Sequence, residues 1–535
     1  MSQKTKSLVG GISILGLAGL ICKVVGVLYR IPLAAYIGAE GLGLYSKVFQ
    51  SYNLLLTISS AGLPVAISRM VAHYVTREDP SAARRVFRIA AWGLTALGLL
   101  ATLLLVVFSG WLSRQAGAPE IRMGYLAIAP SLLVVCIMSA FRGYMQGHRK
   151  MMPTAISQLI EQVGKLAVAL PMAVAGMNMG GAPWGAAGML LGTSIAEGVA
   201  LIFMFIAHRR AGGEFAAVPQ NSLDAAPENA ALIKTLLRIS IPVTLSSCIV
   251  PLAGWIDSFM VTNLMEADGM AHAEALVRYG LYSSVVLSLI NVPTALAMAM
   301  STNLVPAISS GMARHDMEDV SRQSIDGMRI ASIVGMPCSM GMSLLARPIL
   351  YLLFSAKYTP AQLDLGAEIL QMSAFTIFFF TMVQATSGIL HGCGKQRLPL
   401  YTLLAGVICK IGLNWLLIGT PSINIHGAPI ASLVCYTVSM VPNLYFVVKY
   451  ASKRFPVTSI ILRPLAATMG MGAIVYVIWY LLFTEKCLTT GRLLLLVAVA
   501  VSILMGIISY AVLAFKLKAI RPEDVPGRLR RFVKR

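Results

Sequence analysis

Long apolar runs recur along almost the whole chain, and they constrain its fold more than any other feature of the sequence. Residues 8–37 form the first of them and hold only two charged side chains. About 20 apolar residues cross the hydrocarbon core of a bilayer as a helix, and a helix satisfies its own backbone hydrogen bonds there. We therefore predict an all-α integral membrane protein with about fourteen transmembrane helices. Their approximate limits are 8–37, 44–73, 86–110, 121–146, 153–176, 184–208, 232–262, 277–308, 326–346, 364–391, 399–419, 427–450, 459–484 and 492–516.

The placement of the cations predicts the orientation of these helices. The chain has a formal net charge of +21, and 29 of its 43 Lys and Arg residues lie in one alternate set of loops and termini. The opposite set of loops holds seven. Because short cytoplasmic loops carry the excess of Lys and Arg, we predict a bacterial cytoplasmic membrane protein with both termini in the cytoplasm. This distribution argues against a nucleic-acid partner, whereas the loop arginines suit contact with anionic membrane lipids.

Two sequence matches predict that the chain contains an internal repeat. AISRMVA at 66–72 matches AISSGMA at 307–313 with an offset of 241. A second match, with an offset of 245, places Gly143, Gly147, Lys150 and Lys165 on Gly388, Gly392, Lys395 and Lys410. Since six predicted helices intervene, the two halves have the same orientation and are parallel repeats, as in transporters that rock two lobes about a central site.

The repeat and the loops predict the domain organisation. We expect an N-terminal six-helix lobe over 1–208, a polar cytoplasmic linker over 209–231 and a C-terminal six-helix lobe over 232–450. Residues 451–535 would add helices 13 and 14 and a basic cytoplasmic tail. That last helix pair is either an ordinary lipid-facing pair or the wall of a groove for a long hydrocarbon tail.

Ionisable side chains inside predicted spans are the candidate binding residues, because a charge at the centre of a membrane helix usually faces a protein interior or a wet cavity. Lys23 and Arg30 are seven residues apart and therefore share one face of the first helix. Such a face would attract a phosphate or pyrophosphate group, unless both cations snorkel to the membrane surface or pair with carboxylates on other helices. The further candidates are Glu161, Lys165, Asp257 and Lys410, with Arg69, Arg142 and Glu197 as lesser ones. Glu161 and Lys165 could instead simply pair with each other, since they are four residues apart.

The sequence holds no motif of an enzyme or a metal site. HExxH, GxxxxGK[ST] and GxSxG patterns are absent, and the eight cysteines have no CxxC spacing. We expect no catalytic residue, no bound metal and no cofactor, with coupling to the membrane potential or to a gradient of a monovalent cation.

Three stretches carry a resemblance to a known family: 22–45, 62–72 and FRGYMQGHRKMMPTAISQLIEQ at 141–162. They resemble the polysaccharide-biosynthesis and stage V sporulation protein B branch of the multidrug/oligosaccharidyl-lipid/polysaccharide (MOP) flippase superfamily, to which the lipid II flippases belong. The resemblance implies two six-helix lobes, alternating access and a groove for a polyprenyl tail. It also implies that Lys23, three residues before Gly26, binds pyrophosphate. The second basic residue that such flippases carry three after this glycine would fall on Tyr29, whereas the cation here is Arg30.

The resulting functional hypothesis is a flippase that moves an undecaprenyl-pyrophosphate-linked saccharide, such as lipid II, from the inner to the outer leaflet. The first alternative is a cation-coupled multidrug antiporter of the same superfamily, which would need a buried carboxylate in the N-terminal half. The second is a membrane glycan polymerase or ligase, which would need a large outer loop with acid or base residues.

Overall fold

The computed structural model describes residues 29–216, 228–355, 358–480 and 491–520, together with positions 19, 21–22 and 25–26. Every regular element in these ranges is helical, which confirms the all-α prediction. Eleven helices in the described part of the chain are long and apolar enough to cross a membrane, or twelve if one bent pair forms a single span. Because most of the predicted first span lies outside the described residues, the total of fourteen stays a prediction.

The described chain divides into two compact units, 1–284 and 285–535. The described part of the first unit contains eight α-helices, of which the last continues into a π-helical segment at 281–286. These helices are α1 (Arg30–Ser60), α2 (Gly62–Thr76), α3 (Pro80–Gln115), α4 (Arg122–Gly147), α5 (Met152–Gly164), α6 (Leu170–Ala216), α7 (Asn229–Ala267) and α8 (His272–Gly280).

Nine α-helices are described in the second unit. These helices are α9 (Leu287–Ala313), α10 (Met317–Leu344), α11 (Ala346–Phe354), α12 (Pro360–Ala374), α13 (Thr376–Gly392), α14 (Arg397–Ile418), α15 (Gly427–Val447), α16 (Arg463–Ile478) and α17 (Arg492–Lys516). Helices α10 and α11 are the bent pair, with an angle of 67° between them. The helices α6 and α7 enter the predicted linker from both ends, at Ala216 and Asn229.

The longest helical stretch, Met152–Ala211, folds back on itself. Its 60 residues would extend about 90 Å if straight, far more than a bilayer is thick. Gly180 and Gly181 leave helical geometry, and Gly181 has a φ of 73°. Beyond this break the chain returns, so that a side chain at Gly188 would lie 2.2 Å from the Met172 carbonyl oxygen. The stretch therefore contains two antiparallel helices, at the places predicted for spans five and six.

The turn between α2 and α3 is repeated between α9 and α10, which supports the internal repeat. Glu78 and His315 both have a φ of 57°, and each is followed by an aspartate that caps the next helix, Asp79 and Asp316. These positions are 237 residues apart (316 minus 79), not 241. The sequence match at 241 was thus one helical turn out of register at this turn, because a shift of four residues returns an apolar pattern to nearly the same helix face.

The cap at Asp79 supports a stability prediction. The Asp79 carboxylate accepts the Ala82 backbone N–H at 2.9 Å and the Ser81 hydroxyl at 2.7 Å. Partial burial opposes the charge, but these hydrogen bonds outweigh it and hold the pKa of Asp79 below its ordinary value. The Asp79 carboxylate therefore stabilises the folded protein above about pH 4, and this stabilisation is lost as the pH falls through the lowered pKa. We expect Asp79→Ala to cost about 1 kcal/mol at neutral pH, measured by thermal unfolding in detergent. Asp79→Asn keeps an acceptor and should cost much less; equal losses would contradict the capping role.

The last two helices pack against α10 in the second unit. The Tyr510 hydroxyl of α17 donates to the Ile333 carbonyl oxygen at 2.9 Å, and Met471 of α16 lies in the same apolar cluster as Met340. Their other faces expose large apolar side chains, including Leu493 at 77% and Ile507 at 62%. This surface suits contact with lipid, and it fits both interpretations of the helix pair.

Candidate functional site

A buried carboxylate is the centre of a polar network in the first unit. Glu197, on the returning helix of α6, is only 4% exposed. The Tyr52 hydroxyl of α1 lies 3.3 Å from Glu197 Oε2, and the Ser131 hydroxyl of α4 donates to the same oxygen. Lys165, in the π-helical segment between α5 and α6, places its ammonium 3.9 Å from Glu197 Oε1. Four separate helical segments thus converge on one carboxylate.

A second ion pair lies beside this network. The Arg142 guanidinium of α4 donates to Glu161 Oε1 of α5 at 2.7 Å, and Arg142 Nε donates to the Ser157 hydroxyl at 3.0 Å. Glu161 is close enough to influence Glu197 electrostatically. Two cations and two carboxylates therefore lie together, and their formal charges sum to zero. Such a group holds helices in place and does not by itself attract an anion.

Partners on other helices approach both members of the predicted i,i+4 pair of Glu161 and Lys165. Arg142 pairs with Glu161, and Lys165 approaches Glu197. The lesser candidates Arg142 and Glu197 are thus as closely involved as the main ones. Arg69 is exposed on α2.

The other candidates lie on α7 and α14, or outside the described part of the chain. Asp257 of α7 is 5% exposed and within electrostatic range of the Tyr279 hydroxyl. In the second unit, Lys410 of α14 is 8% exposed, one turn before the fully buried Asn414. Lys23 lies outside the described residues, and so does the side chain of Arg30, whose backbone begins α1. An ideal Cβ on Gly26 would lie 3.7 Å from the Gln162 side-chain oxygen, next to Glu161.

Two buried cations are not among the predicted binding residues. Lys47 of α1 is 0% exposed; its ammonium donates to the Thr262 hydroxyl at 2.6 Å and to the Ala116 carbonyl oxygen. Arg329 is 1% exposed inside α10 and lies 3.0 Å from Asp326. For both residues, the signal available in the sequence was a cation inside a predicted span or at its end.

Comparisons with known proteins agree with this architecture. The profile of the polysaccharide biosynthesis protein family matches residues 8–312, and that of the MatE family matches 242–416. Stage V sporulation protein B of Bacillus subtilis (strain 168) is 27% identical over 79% of this chain and 80% of its own length. Lipid II flippase MurJ of the same organism is 26% identical over 90% of both chains.

Solved structures show the same fold at low sequence identity. Lipid II flippase MurJ in an inward closed conformation superposes with a TM-score of 0.64 at 13% identity, covering 94% of this chain and 99% of that one. An inward-facing multidrug resistance MATE transporter of the MOP superfamily also reaches 0.64, at 14% identity, covering 81% of this chain and 98% of that one. MurJ is a lipid II flippase and the MATE protein is a multidrug transporter, so the similar proteins with a stated activity act in transport. The chain belongs to the polysaccharide biosynthesis protein family.

Proposed function

We propose that this protein is a flippase that moves an undecaprenyl-pyrophosphate-linked saccharide from the inner to the outer leaflet of a bacterial cytoplasmic membrane. The observation that carries the proposal is the match to a lipid II flippase over 90% of both chains. The match to a stage V sporulation protein B supports the same class of function.

The charges of the first unit support a division of roles within the proposed flippase. The described network of Arg142, Glu161, Lys165 and Glu197 is internally balanced, so it would hold helices α4, α5 and α6 together. Lys23 and Arg30 would then supply the positive charge that binds pyrophosphate. Gly26, between these two cations, lies beside Gln162, which supports a first helix that passes close to the network. The two lobes would rock about this region by alternating access.

Translocation in proteoliposomes tests the proposal directly. We expect a fluorescent undecaprenyl-pyrophosphate saccharide to cross the bilayer in vesicles that contain the protein. Replacing Lys23 with alanine removes charge-assisted hydrogen bonds, each of which is worth about 1.5–3 kcal/mol, so translocation should fall at least about tenfold. The measurement is the fraction of labelled lipid that an impermeant quencher reaches over time.

The matched variant Lys23→Arg keeps the positive charge and should keep most of the activity. If both variants remain as active as the natural chain, the protein is still a flippase but Lys23 does not bind the head group. If no labelled lipid moves at all, the proposed function itself is wrong.

A cation-coupled antiporter is the second candidate, because a carboxylate is indeed buried in the N-terminal half. Glu197 and the match to the MatE family both favour it. Expulsion of a cationic dye under a proton or sodium gradient, in vesicles that move no labelled lipid, would favour this function over the first. The same vesicles test whether the proposed flippase is driven by such a gradient or by the membrane potential.

A further inference from the structure

A second charged cluster surrounds Lys47, in the middle of α1. It lies just after the gap 38–43 between the first two predicted spans, which the cation distribution predicts to face outward. It joins α1 and the α3–α4 turn to the end of α7 and the start of α8. We call it the outer latch; its residues are Lys47, Ala116, Glu120, Thr262, Glu266 and His272. All of them belong to the first compact unit.

His272 bridges two carboxylates in the outer latch. Its Nδ1 lies 2.8 Å from Glu266 Oε1 and its Nε2 lies 3.0 Å from Glu120 Oε1. A carboxylate is an acceptor only, so each ring nitrogen must carry a proton to make both hydrogen bonds, and only the imidazolium form has two. A neutral ring would make one of these bonds and turn a lone pair toward the other carboxylate.

The surrounding charges also favour the protonated ring. Lys47 is buried on α1, and Glu266 and Glu120 both attract its ammonium. With His272 protonated, two cations face two carboxylates; with His272 neutral, the cluster carries one net negative charge. On the helix of His272 itself, Glu274 is engaged by Arg278 at 2.6 Å, and Asp268 is exposed on the preceding turn.

The outer latch connects parts of the chain that the sequence assigns to different lobes. Lys47 and Glu120 lie in the predicted lobe 1–208, whereas Glu266 and His272 lie in 232–450. Asn263 of α7 adds a hydrogen bond to the Gln115 carbonyl oxygen at 3.0 Å. In the predicted two-lobe organisation, opening of the transport pathway toward the outside would separate these two sets of residues.

We propose that the outer latch is a proton-operated gate, in which protonated His272 holds the outward side closed and its deprotonation favours opening. Closure is most favourable below about pH 6.5, where histidine is ordinarily protonated. It weakens as the outer pH rises above that value, because the closed state binds more protons than the open state. The regulation of transport rests on the proposed function, whereas the gate itself does not.

Thiol labelling from the outside tests the gate without any transport assay. Ser46 is 5% exposed and contacts Ser284 next to the latch. In reconstituted full-length chain without its natural cysteines, Ser46→Cys should react with an impermeant maleimide faster at pH 8 than at pH 6. The thiolate fraction of any cysteine rises with pH and speeds labelling by itself. The labelling rate of Asp268→Cys, on the exposed turn, measures this effect, and the rate of Ser46→Cys is divided by it. We expect the corrected rate to rise about twofold or more over this range.

The decisive variant is His272→Gln, which keeps a hydrogen-bonding side chain but does not titrate. It should make the corrected labelling rate independent of pH. His426→Gln is the matched control, because His426 pairs with a single carboxylate, Glu368, at 3.1 Å in the second unit; it should leave the pH dependence unchanged. A pH dependence that persists in His272→Gln overturns the proposal.

Hydrogen–deuterium exchange gives a second measurement on the chain with its natural cysteines. Backbone amides of 262–272 should exchange faster at pH 8 than at pH 6 after correction for intrinsic rates, and His272→Gln should abolish the difference. An unchanged difference in that variant would equally overturn the gate. A gate that responds to pH in vesicles that move no labelled lipid would contradict only the flippase.

Discussion

Replacing Lys165 with methionine is expected to lower the free energy of unfolding by about 3 kcal/mol, because the change leaves a buried carboxylate without its cation. Glu197 is 4% exposed, and it also accepts hydrogen bonds from the hydroxyls of Tyr52 and Ser131. Methionine preserves most of the volume of the lysine side chain. The decrease in the free energy of unfolding therefore reflects the missing charge more than a change in packing. Chemical unfolding in detergent, followed by tryptophan fluorescence, measures it.

The matched double variant separates the ion pair from other effects of the substitution. Glu197→Gln removes the buried charge but keeps a side chain that can hydrogen-bond to Tyr52 and Ser131. The combination Lys165→Met with Glu197→Gln should therefore recover much of the stability that Lys165→Met loses, with a coupling free energy of about 1–3 kcal/mol. Strictly additive losses would show that the 3.9 Å approach of Lys165 to Glu197 contributes little.

Gly188→Ala is expected to destabilise the protein by about 2 kcal/mol, because the two helices of the hairpin formed by Met152–Ala211 are in backbone contact there. A β-carbon on Gly188 would lie 2.2 Å from the carbonyl oxygen of Met172, closer than any real contact. The helices would have to separate, and overpacking of this kind costs about 1–3 kcal/mol. Small residues at such contacts are what lets membrane helices approach closely.

Gly198→Ala on the same helix is the control, since nothing lies within 4 Å of a β-carbon built there. Alanine is the better helix former by about 1 kcal/mol, so this variant should be neutral or slightly stabilising. Opposite signs for the two glycine substitutions, measured by thermal unfolding of the detergent-solubilised protein, would establish the close contact. Equal changes in stability for the two variants would mean that helix propensity alone determines the effect of the substitution.

The balance of charges in the first unit bears on where a substrate could bind. The structure brings Arg142 against Glu161 and Lys165 near Glu197, so these two cations are already compensated. A polar chamber that attracts pyrophosphate would then depend on Lys23 and Arg30, which is why the translocation experiment begins with Lys23.

The limits of the helices were largely predictable from the sequence. The last helix was predicted at 492–516 and found at Arg492–Lys516, and the turns beginning at Gly147 and Gly392 were confirmed. Charged and glycine-containing turns cannot easily enter a bilayer, so they mark the ends of spans. The predicted turn at 38–43 was only partly correct: Gly38 leaves helical geometry with a φ of 69°, but the helix resumes immediately after it.

What the sequence by itself determined is the fold class, the approximate spans and the residues that carry charge inside them, because hydrophobic length and local turn chemistry are properties of neighbouring residues. The ion-pair and hydrogen-bond partners of these charged residues could be identified only from the tertiary structure. Arg142 and Glu161 are 19 positions apart, and Lys47 and Thr262 are 215 apart. Ion pairing depends on which helix faces meet, and the same apolar pattern permits several rotations and registers of each helix. The internal repeat shows the same ambiguity of register. The matched sequences are 241 residues apart, whereas the equivalent turns in the structure are 237 residues apart, a difference of about one helical turn.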